Sequence, residues 1–406
     1  MSDISPGVNR QNAIYMAGIA GKKPTQPISV EELQRKAQEV LEPEAYDYIA
    51  GSAGSEDTYQ ANLDAFKHWR IVPRLLRNVV ERDLSITIFG QTFRVPFMFA
   101  PIGVQSILHP DAERAVARAA KSLQIPLILS TLSSTPMEEV AEIMGETPHW
   151  FQLYRPNCQE LTASLLNRAA NAGYSALVVT LDTYYLSWRE RDLTNAYLPF
   201  LTGQGLANYF SDPVFCSAIG SDPHETLVEA VRYYGQIFSD PSLTWDDLAF
   251  LRQHTRLPII LKGILHPDDA RKAVDHGMDG IIVSNHGGRQ LDGAIAALDA
   301  LPSVVDAVGD QAVVLFDSGI RRGADIVKAL ALGAKCVLLG RPYGYGLAVN
   351  GEQGVVDVAL NLLADLDLTL ALSGYTSFAE LSRDSLVEAS LNHKTVPGRS
   401  IPAPQQ

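Results

Sequence analysis

The sequence predicts an α/β protein built on a (β/α)8 TIM barrel, with an N-terminal helical extension and a long insertion after the fourth strand. Eight short apolar runs alternate with amphipathic stretches such as DAERAVARAAKSL and GADIVKALALG. Apolar strands that alternate with helices are typical of parallel strands buried on both faces, and eight such units close into a barrel. An open doubly wound sheet is the alternative. Its usual G-x-G-x-x-G turn is missing from FAPIG and LSTLS, the first two turns here.

The eight predicted barrel strands lie in segments that end in polar residues or glycine. In chain order they are FMFAPIG from Phe97, PLILST from Pro126, WFQLY from Trp150, ALVVTLD from Ala176, PIILKGI from Pro258, GIIVSNHG from Gly280, AVVLFDSG from Ala312 and CVLLGRP from Cys336.

Residues 1–83 are predicted to form an N-terminal arm and helical extension. The stretch 1–26 is rich in Pro, Gly, Asn and Gln, which predicts an extended arm. Ser29 followed by Glu32 is typical of a capping box, so we expect a helix from there toward Leu41.

The barrel domain is predicted over residues 84–390 and is followed by a C-terminal tail, 391–406. It begins with SITIFGQTFRV, a predicted β-hairpin that closes one end of the barrel. The alternation of predicted strands and helices is interrupted by an insertion of about residues 190–244. Its segment RERDLTNAYLPFLTGQGLANYFSDPVF contains five aromatic residues and four leucines. Long insertions are usually lids or disordered links. The aromatic content favours a lid that packs, and the alternative is a dispensable surface loop.

Composition excludes several classes of function. The 406 residues carry 33 basic and 46 acidic side chains, a net charge of −13, and 46% of residues are hydrophobic. A folded protein is therefore expected, without nucleic-acid binding or docking to anionic membranes. Cys158, Cys216 and Cys336 lie far apart, so neither a thiolate metal site nor a disulfide framework is expected. Because no signal peptide, spanning segment or peroxisomal tripeptide is visible, we expect a cytoplasmic protein.

Polar side chains gather where the predicted strands end. In a TIM barrel these ends form the active-site mouth, whereas the opposite rim serves stability. Each residue has an ordinary structural explanation when taken alone, but their convergence on one rim favours an active site. The set is Gln152, Tyr154, Thr180, Asp182, Lys262, Ser284, His286 and Arg289, followed by Asp317, Arg321, Gly340 and Arg341 after strands seven and eight.

The residue types at this rim indicate the chemistry. Asp182 beside His286 suits a base held in one tautomer, and arginine forks suit a carboxylate. Lys262 is either a fixed cation or an amine for a Schiff base. Glycines and arginines after strands seven and eight suit a phosphate. A phosphorylated cofactor with an acid substrate is therefore predicted. The alternative is a flavin-free barrel, either a Schiff-base aldolase or a binding protein.

Three segments carry a resemblance to a known family. SNHGGRQLD at Ser284, LFDSGIRRGADIVKALALGA at Leu315 and GRPYGYG at Gly340 resemble the FMN-dependent L-2-hydroxy acid oxidising family, and the likeness runs from about residue 33 to about residue 386. The resemblance implies an FMN cofactor, a small 2-hydroxy acid and molecular oxygen as substrates, and a homotetramer or homo-octamer. It implies no metal.

Within this family the chain most resembles the lactate 2-monooxygenases. The segments concerned are YIAGSAGSEDT, NLDAFKHW, VPRLL, ERDLS, FAPIGV and the insertion that ends in LANYFSDPVF. This likeness implies that L-lactate is oxidised and that the retained pyruvate is decarboxylated to acetate, carbon dioxide and water. The alternative is an oxidase that releases the 2-keto acid and hydrogen peroxide.

The resemblance also implies roles for individual residues. His286 would be the catalytic base and Asp182 its support, and Lys262 would stabilise the reduced flavin. The substrate carboxylate would be held by Arg289 and Arg189, with Arg191 as a rival to Arg189, and by the hydroxyls of Tyr48 and Tyr154. The flavin ring would contact Ala100, Pro101, Ile102, Gly103, Ser130, Gln152, Thr180, Lys262 and Ser284, the ribityl chain Asp317, and the phosphate Gly319, Arg321, Gly340 and Arg341.

Two further expectations concern the space around the substrate. Gly103 stands where oxidases of this family often carry alanine, which leaves more room over the reactive edge of the ring. The aromatic Tyr184, Tyr185 and Trp188 follow strand four directly and are expected to line the pocket and limit substrate size.

Overall fold

A computed structural model describes residues 5–389. The tail predicted at 391–406 lies outside these residues. The strands are β1 (Trp69–Ile71), β2 (Ile86–Ile88), β3 (Gln91–Phe93), β4 (Phe97–Phe99), β5 (Leu127–Ser130), β6 (His149–Leu153), β7 (Leu177–Thr180), β8 (Ile259–Ile264), β9 (Gly280–Val283), β10 (Val313–Phe316), β11 (Cys336–Leu339) and β12 (Leu386–Glu388).

The helices alternate with the strands through most of the chain. They are α1 (Pro6–Ile19), α2 (Val30–Val40), α3 (Pro43–Ala50), α4 (Asp57–Ala65), α5 (Ala112–Leu123), α6 (Met137–Met144), α7 (Gln159–Asn171), α8 (Glu190–Thr194), α9 (Ala207–Phe210), α10 (Pro213–Ile219), α11 (Leu227–Ile237), α12 (Leu248–His254), α13 (Pro267–Asp275), α14 (Ala297–Val308), α15 (Gly323–Ala331) and α16 (Arg341–Leu372). Short 3-10 turns include Pro199–Thr202, Trp245–Asp247 and His286–Gly288.

Strands β4 to β11 form a closed barrel in which each strand pairs in parallel with the next and β11 returns to β4. Each of the eight predicted segments contains one of these strands, so the predicted TIM barrel is confirmed. The strands are buried on both faces, inside the barrel and against the surrounding helices. This double burial is why their sequences are continuously apolar.

The hairpin β2–β3 closes the N-terminal end of the barrel. Its two strands pair antiparallel, and Ile88 and Phe93 belong to the same apolar cluster as the barrel interior. Phe89 and Phe93 pack on Trp150, near the start of β6, with ring centroids 6.0 and 6.1 Å apart from it. Because this end is plugged, the opposite end, where the strands finish, is the one left for a site.

The expectation of an extended arm over residues 1–26 is wrong for its described part, because α1 is a regular helix. Ser5 caps it by accepting from the backbone N–H of Val8, and Pro6 occupies its first turn. The helix lies so close to α16 that a Cβ on Gly7 would come within 2.5 Å of Leu368. This packing stabilises a helix that local composition does not favour. The predicted cap at Ser29 is observed, with its Oγ 3.2 Å from the N–H of Glu32.

The insertion between β7 and β8 folds into helices α8 to α12 and packs as its aromatic content predicts. Tyr209, Phe215 and Tyr234 are buried, and Tyr209 packs edge-to-face on each of the other two rings, with centroids 5.6 and 5.1 Å apart. Asn208 anchors the segment on the barrel, because its amide donates to the carbonyls of Ser130 and Thr131. The alternative of a loosely attached surface loop does not describe this segment.

Between residues 5 and 389 no helix combines the length and apolar character needed to cross a membrane. Over the same residues, no group of His, Cys, Asp and Glu side chains is arranged to hold a metal ion.

A buried ion pair joins α16 to the segment before the barrel. Arg82 donates to both carboxylate oxygens of Asp367, at 2.7 and 3.0 Å, and the Arg82 and Asp367 side chains are 8% and 1% exposed. Asp367 also accepts from the N–H of Gly7, at 2.9 Å. One carboxylate therefore ties three parts of the chain together.

We expect Asp367→Ala to lower the free energy of unfolding by about 3–5 kcal/mol, because it leaves the Arg82 guanidinium buried without its counter-ion. Urea denaturation measures the change. The control is Asp306→Ala, which removes an exposed partner of Arg383 and should cost less than about 1 kcal/mol. Equal losses in the two variants would contradict the assignment.

Candidate active site

The carboxyl ends of the barrel strands surround a cleft of about 1060 Å³. It is lined by most of the residues singled out from the sequence, which lie on different strands and on the N-terminal extension. They are Tyr48, Ala100, Pro101, Ile102, Gly103, Ser130, Tyr154, Arg189, Lys262, His286, Arg289, Asp317, Gly319, Arg321, Gly340 and Arg341. Four further residues with an implied catalytic or cofactor-binding role, Gln152, Thr180, Asp182 and Ser284, hydrogen-bond to residues of this cleft or to one another.

His286 and Asp182 form a hydrogen-bonded pair at the mouth. His286 follows β9 and Asp182 follows β7, and the His286 Nδ1 lies 2.8 Å from Asp182 Oδ1. Since the carboxylate can only accept, Nδ1 carries the proton and Nε2 is left with its lone pair. The Tyr154 hydroxyl lies 3.5 Å from this Nε2. The pair therefore presents a proton acceptor to the cleft.

Burial sets the charge state of this pair. It lowers the pKa of His286 below its usual value, although the Asp182 carboxylate opposes the change. Burial alone would raise the pKa of Asp182, but the charges of His286 and Lys262 lower it to about 2. At neutral pH the imidazole is thus neutral and the carboxylate is charged. Asp182 Oδ2 is buried without a hydrogen-bond partner among residues 5–389.

Backbone geometry fixes the position of the imidazole. His286 has φ +59°, a left-handed conformation that a side chain disfavours, and Gly287 and Gly288 continue it with φ +64° and +80°. The turn is held by hydrogen bonds from its N–H groups. His286 N donates to Ser284 Oγ, and Gly287 N donates to Ser318 Oγ, both at 3.0 Å. Strain of this kind persists only where the surroundings determine it.

Lys262 provides a buried positive charge on the floor of the cleft. It stands on β8, donates to Ser284 Oγ at 3.0 Å and lies 3.4 Å from Asp317 Oδ2. Both contacts hold the ammonium in place. The site therefore has a cation that does not need to reorganise when negative charge develops beside it.

Arg289 is held against the N-terminal extension. Its Nη1 donates to the carbonyls of Tyr48 and Gly51, at 2.6 and 2.7 Å, and its guanidinium lies 5.1 Å from the centre of the Tyr48 ring. Burial and the neighbouring Arg189 lower the pKa of Arg289 to about 9. The group is still charged at neutral pH and can bind an anion.

The structure distinguishes Arg189 from Arg191, the alternative candidate for binding the substrate carboxylate. Arg189 lines the cleft and is fixed by bonds to the Arg289 carbonyl and to Gln290, at 3.2 and 2.9 Å. Arg191 does not line the cleft, and it pairs with Glu56 at 2.7 Å. The position of Arg189 supports its choice from the sequence.

The far end of the cleft has an unsatisfied cationic donor. Arg321 Nη2 is buried and has no hydrogen-bond partner within the described part of the chain. Gly319, at φ +95°, packs closely on α4, because a Cβ would come 2.7 Å from the carbonyl of Asn62. By contrast, Arg341 already donates to the carbonyls of Ile49, Gly51 and Gly287. An anion at this end would be met first by Arg321.

A row of uncharged polar side chains crosses the floor near β5, β6 and β7. Ser130 donates to Gln152 at 3.1 Å, and Gln152 donates to Thr180 at 3.0 Å. All three are buried. Such a row can bind the polar edge of a heterocyclic ring without adding charge.

The expectation that Tyr184, Tyr185 and Trp188 line the pocket is wrong. They are 57%, 69% and 73% exposed, and none borders this cleft. The chain turns outward after Asp182, where Gln290 donates to the carbonyls of Asp182 and Tyr185.

The insertion reaches the cleft through other residues, Leu186, Phe200 and Phe238. Phe200 and Phe238 lie far along the insertion from β7, and no spacing in the sequence marks them. Leu132 after β5 and Thr183 after β7 also line the cleft and were not singled out.

Comparisons with known proteins identify the family of this chain. The model of the FMN-dependent dehydrogenase family matches residues 37–388. An L-lactate oxidase of Lysinibacillus sphaericus is 44% identical, covering 89% of this chain and 93% of its own. Human 2-hydroxyacid oxidase 1 is 42% identical, covering 86% of this chain and 93% of its own. A crystal structure of a mandelate oxidase superposes with a TM-score of 0.78 at 38% identity, covering 87% and 96% of the two chains. The chain belongs to the FMN-dependent dehydrogenase family.

Proposed function

We propose that the protein oxidises a small L-2-hydroxy acid, most favourably L-lactate, with FMN as cofactor and molecular oxygen as the final acceptor. The observation that carries the proposal is the meeting, in one cleft, of the His286–Asp182 pair with the buried arginines Arg189 and Arg289. A base beside two carboxylate-binding groups suits the removal of a proton from a hydroxyl next to a carboxylate. Relatives named L-lactate oxidase and 2-hydroxyacid oxidase support the same substrate class.

The residues present fit FMN. Arg321, with its unsatisfied buried N–H, Gly319 and Gly340 would hold the phosphate, and the row from Ser130 to Thr180 would hold the ring. When bound, FMN supplies a two-electron acceptor that oxygen can reoxidise. Because the family is FMN-dependent, the alternatives of a Schiff-base aldolase and of a flavin-free binding protein are set aside.

Arg289 and Arg189 would bind the substrate carboxylate, and the Tyr48 and Tyr154 hydroxyls would complete its seat. Both guanidinium groups are fixed by carbonyl oxygens behind them, so the substrate is bound to a rigid site. This fixation orients the hydroxyl of a 2-hydroxy acid toward His286, since the Tyr154 hydroxyl lies beside its Nε2.

His286 would accept the hydroxyl proton at Nε2. Burial has lowered its pKa, so it is unprotonated and ready at neutral pH. The Asp182 carboxylate then stabilises the imidazolium through the 2.8 Å bond to Nδ1. Lys262 holds its positive charge on the cleft floor, where it stabilises negative charge that develops during the reaction.

For the second half of the reaction we propose that pyruvate is retained and decarboxylated. Lactate and oxygen then yield acetate, carbon dioxide and water. Support comes from the insertion, which packs on the barrel and adds Phe200 and Phe238 to the wall of the cleft, so that product release is slowed. The second candidate is an oxidase that releases pyruvate and hydrogen peroxide, and it is favoured by the names of the relatives.

Oxygen consumption with L-lactate, measured with and without catalase, separates these outcomes. We expect acetate to accumulate and catalase to return no oxygen. Oxygen returned by catalase together with pyruvate identifies the oxidase. No oxygen consumption by FMN-loaded protein with any small 2-hydroxy acid contradicts the proposal as a whole.

The same assay tests Gly103. A Cβ at this position would lie 3.0 Å from Leu132 Cβ and 3.1 Å from the Leu132 carbonyl, so Gly103→Ala forces Leu132 to move and narrows the cleft. We expect the ratio of peroxide to carbon dioxide to rise. Gly235→Ala is the matched control, because a Cβ there meets no atom within 4 Å. An unchanged ratio in Gly103→Ala would show that Gly103 does not determine whether pyruvate is released or decarboxylated.

We expect His286→Ala to slow reduction of the bound flavin by lactate by about 10²- to 10⁴-fold while FMN stays bound, because the base is lost and the phosphate end is untouched. Anaerobic mixing and the visible flavin band measure it. In the wild type the rate should fall as the pH drops through the His286 pKa, which burial places below the usual value for histidine, since the protonated imidazole cannot accept a proton. The exposed His68→Ala serves as control. Near-normal reduction in His286→Ala would refute the role.

We expect Arg289→Lys to raise KM and lower kcat, with kcat/KM reduced about tenfold or more, because the charge stays but the planar fork is lost. Steady-state kinetics with L-lactate measures the change. Arg191→Lys is the matched control, since Arg191 pairs with Glu56 outside the cleft. Equal kinetics in the two variants would show that Arg289 does not bind the substrate carboxylate.

A further inference from the structure

A second cavity, of about 1170 Å³, lies beside the active-site cleft between the barrel and the insertion. We call it the side cavity. It shares three wall residues, Tyr154, Thr183 and Phe238, with the cleft. The two spaces are therefore neighbours that are separated by little more than these side chains.

The far wall of the side cavity is apolar. It is formed by the end of β7, by β8 and by the last part of the insertion. Much of it is well buried. The residues that make it apolar are Val179, Leu243, Trp245, Leu248, Leu251 and Ile264.

The charged groups of the side cavity are mostly acidic. Asp182, Asp240, Asp247 and Asp269 border it, against one guanidinium, that of Arg155. Arg155 lies 3.7–3.8 Å from Asp247 and Asp240, and its buried Nε and Nη1 have no hydrogen-bond partner within residues 5–389, but four carboxylates outnumber this one guanidinium. A second carboxylate would be repelled here, whereas a neutral apolar group would meet apolar walls. The cavity therefore suits a hydrocarbon or aromatic side chain.

Phe238 forms the part of the partition that carries no polar group. Its ring packs on Tyr154 and Tyr234, with centroids 5.9 and 5.4 Å away. Tyr234 is buried, so Phe238 packs against a ring that is itself held in place. Tyr154, in contrast, points its hydroxyl at His286. Removing the Phe238 ring would thus join the two spaces and spare the groups assigned to the chemistry.

We propose that the side cavity is a subsite for neutral apolar side chains of 2-hydroxy acids and that Phe238 closes it, which restricts the protein to small substrates. The inference rests on the proposed function, because it concerns the side chain of the acid oxidised in the cleft. Dicarboxylic substrates such as malate gain nothing from the opened cavity, because its acidic groups repel the second carboxylate.

The test is Phe238→Ala, loaded with FMN and assayed on L-lactate and on L-2-hydroxyoctanoate. The ratio of kcat/KM for the octanoate to that for lactate should rise about tenfold or more, since several methylenes become buried. The ratio for L-malate over lactate should not rise. Phenylpyruvate, titrated by its perturbation of the flavin spectrum, should bind more tightly to the variant than to the wild type.

Two variants control the experiment. Phe378→Ala removes the same atoms from the 3-10 turn Phe378–Glu380, outside the walls of both spaces, and should keep the wild-type ratio. Adding Leu243→Trp to Phe238→Ala refills the side cavity and should take the gain away. Should Phe238→Ala not retain FMN, Phe238→Leu replaces it, with a smaller rise in the same direction.

The outcomes separate the two proposals. FMN-loaded wild-type protein that consumes no oxygen with lactate or with any other small 2-hydroxy acid refutes the proposed function. Wild-type protein that oxidises lactate, together with a folded Phe238 variant whose octanoate-to-lactate ratio stays at the wild-type value, overturns the subsite alone. A gain that Leu243→Trp does not reverse also overturns it, because the longer chain then lies elsewhere.

Discussion

The strained turn that carries His286 is the constraint on which the site depends. Three residues in succession have positive φ, and the turn persists because partners from other parts of the chain hold it. Asn285, within the turn, exchanges two 2.8 Å amide hydrogen bonds with Asn62 of α4, and Arg341 donates to the Gly287 carbonyl. The N-terminal extension is therefore part of the active site rather than an appendage, and it also supplies Tyr48 and the carbonyl of Gly51 that fix Arg289.

Some of the positively charged side chains in the cleft have a carboxylate partner, and others do not. Lys262 has Asp317 beside it, and Asp182 is shared between His286 and Lys262. Arg289 is bound chiefly through backbone carbonyls, which orient it but do not neutralise it. Arg321 likewise keeps a buried N–H without a partner within residues 5–389. Positive charge is thus left over at two places, one near the base and one at the far end. In the proposed function, a substrate carboxylate and a cofactor phosphate would account for both.

Sequence reasoning succeeded where the signal is local. The apolar runs marked all eight strands, and because parallel strands end on one side of a barrel, the polar residues after them were bound to meet. It failed where the local structure depends on contacts between parts of the chain that are far apart in the sequence. Helix α1 depends on Asp367, 360 residues from Gly7. Tyr184, Tyr185 and Trp188 follow a strand as the site residues do, yet they lie at the surface, because the folding of the insertion directs Phe200 and Phe238 inward instead. No hydrophobic periodicity in the insertion indicates which of its aromatic side chains line the cleft.

In the proposed function, the barrel supplies most of the reactive groups, and the insertion supplies side chains that limit the space for the substrate. The proposed base, the cation and Arg289 stand on a strand or on the turn after β9, whereas Arg189, directly before α8, and the side chains Phe200 and Phe238 come from the segment between β7 and β8. The two parts are not independent. Asn208 donates to the carbonyl of Ser130, whose hydroxyl lies in the row on the cleft floor. A movement of the insertion large enough to break this bond would also disturb that row. The insertion is therefore fixed to the barrel at Asn208, which is why the proposed control of substrate size is assigned to an individual side chain, Phe238, rather than to a movement of the whole insertion.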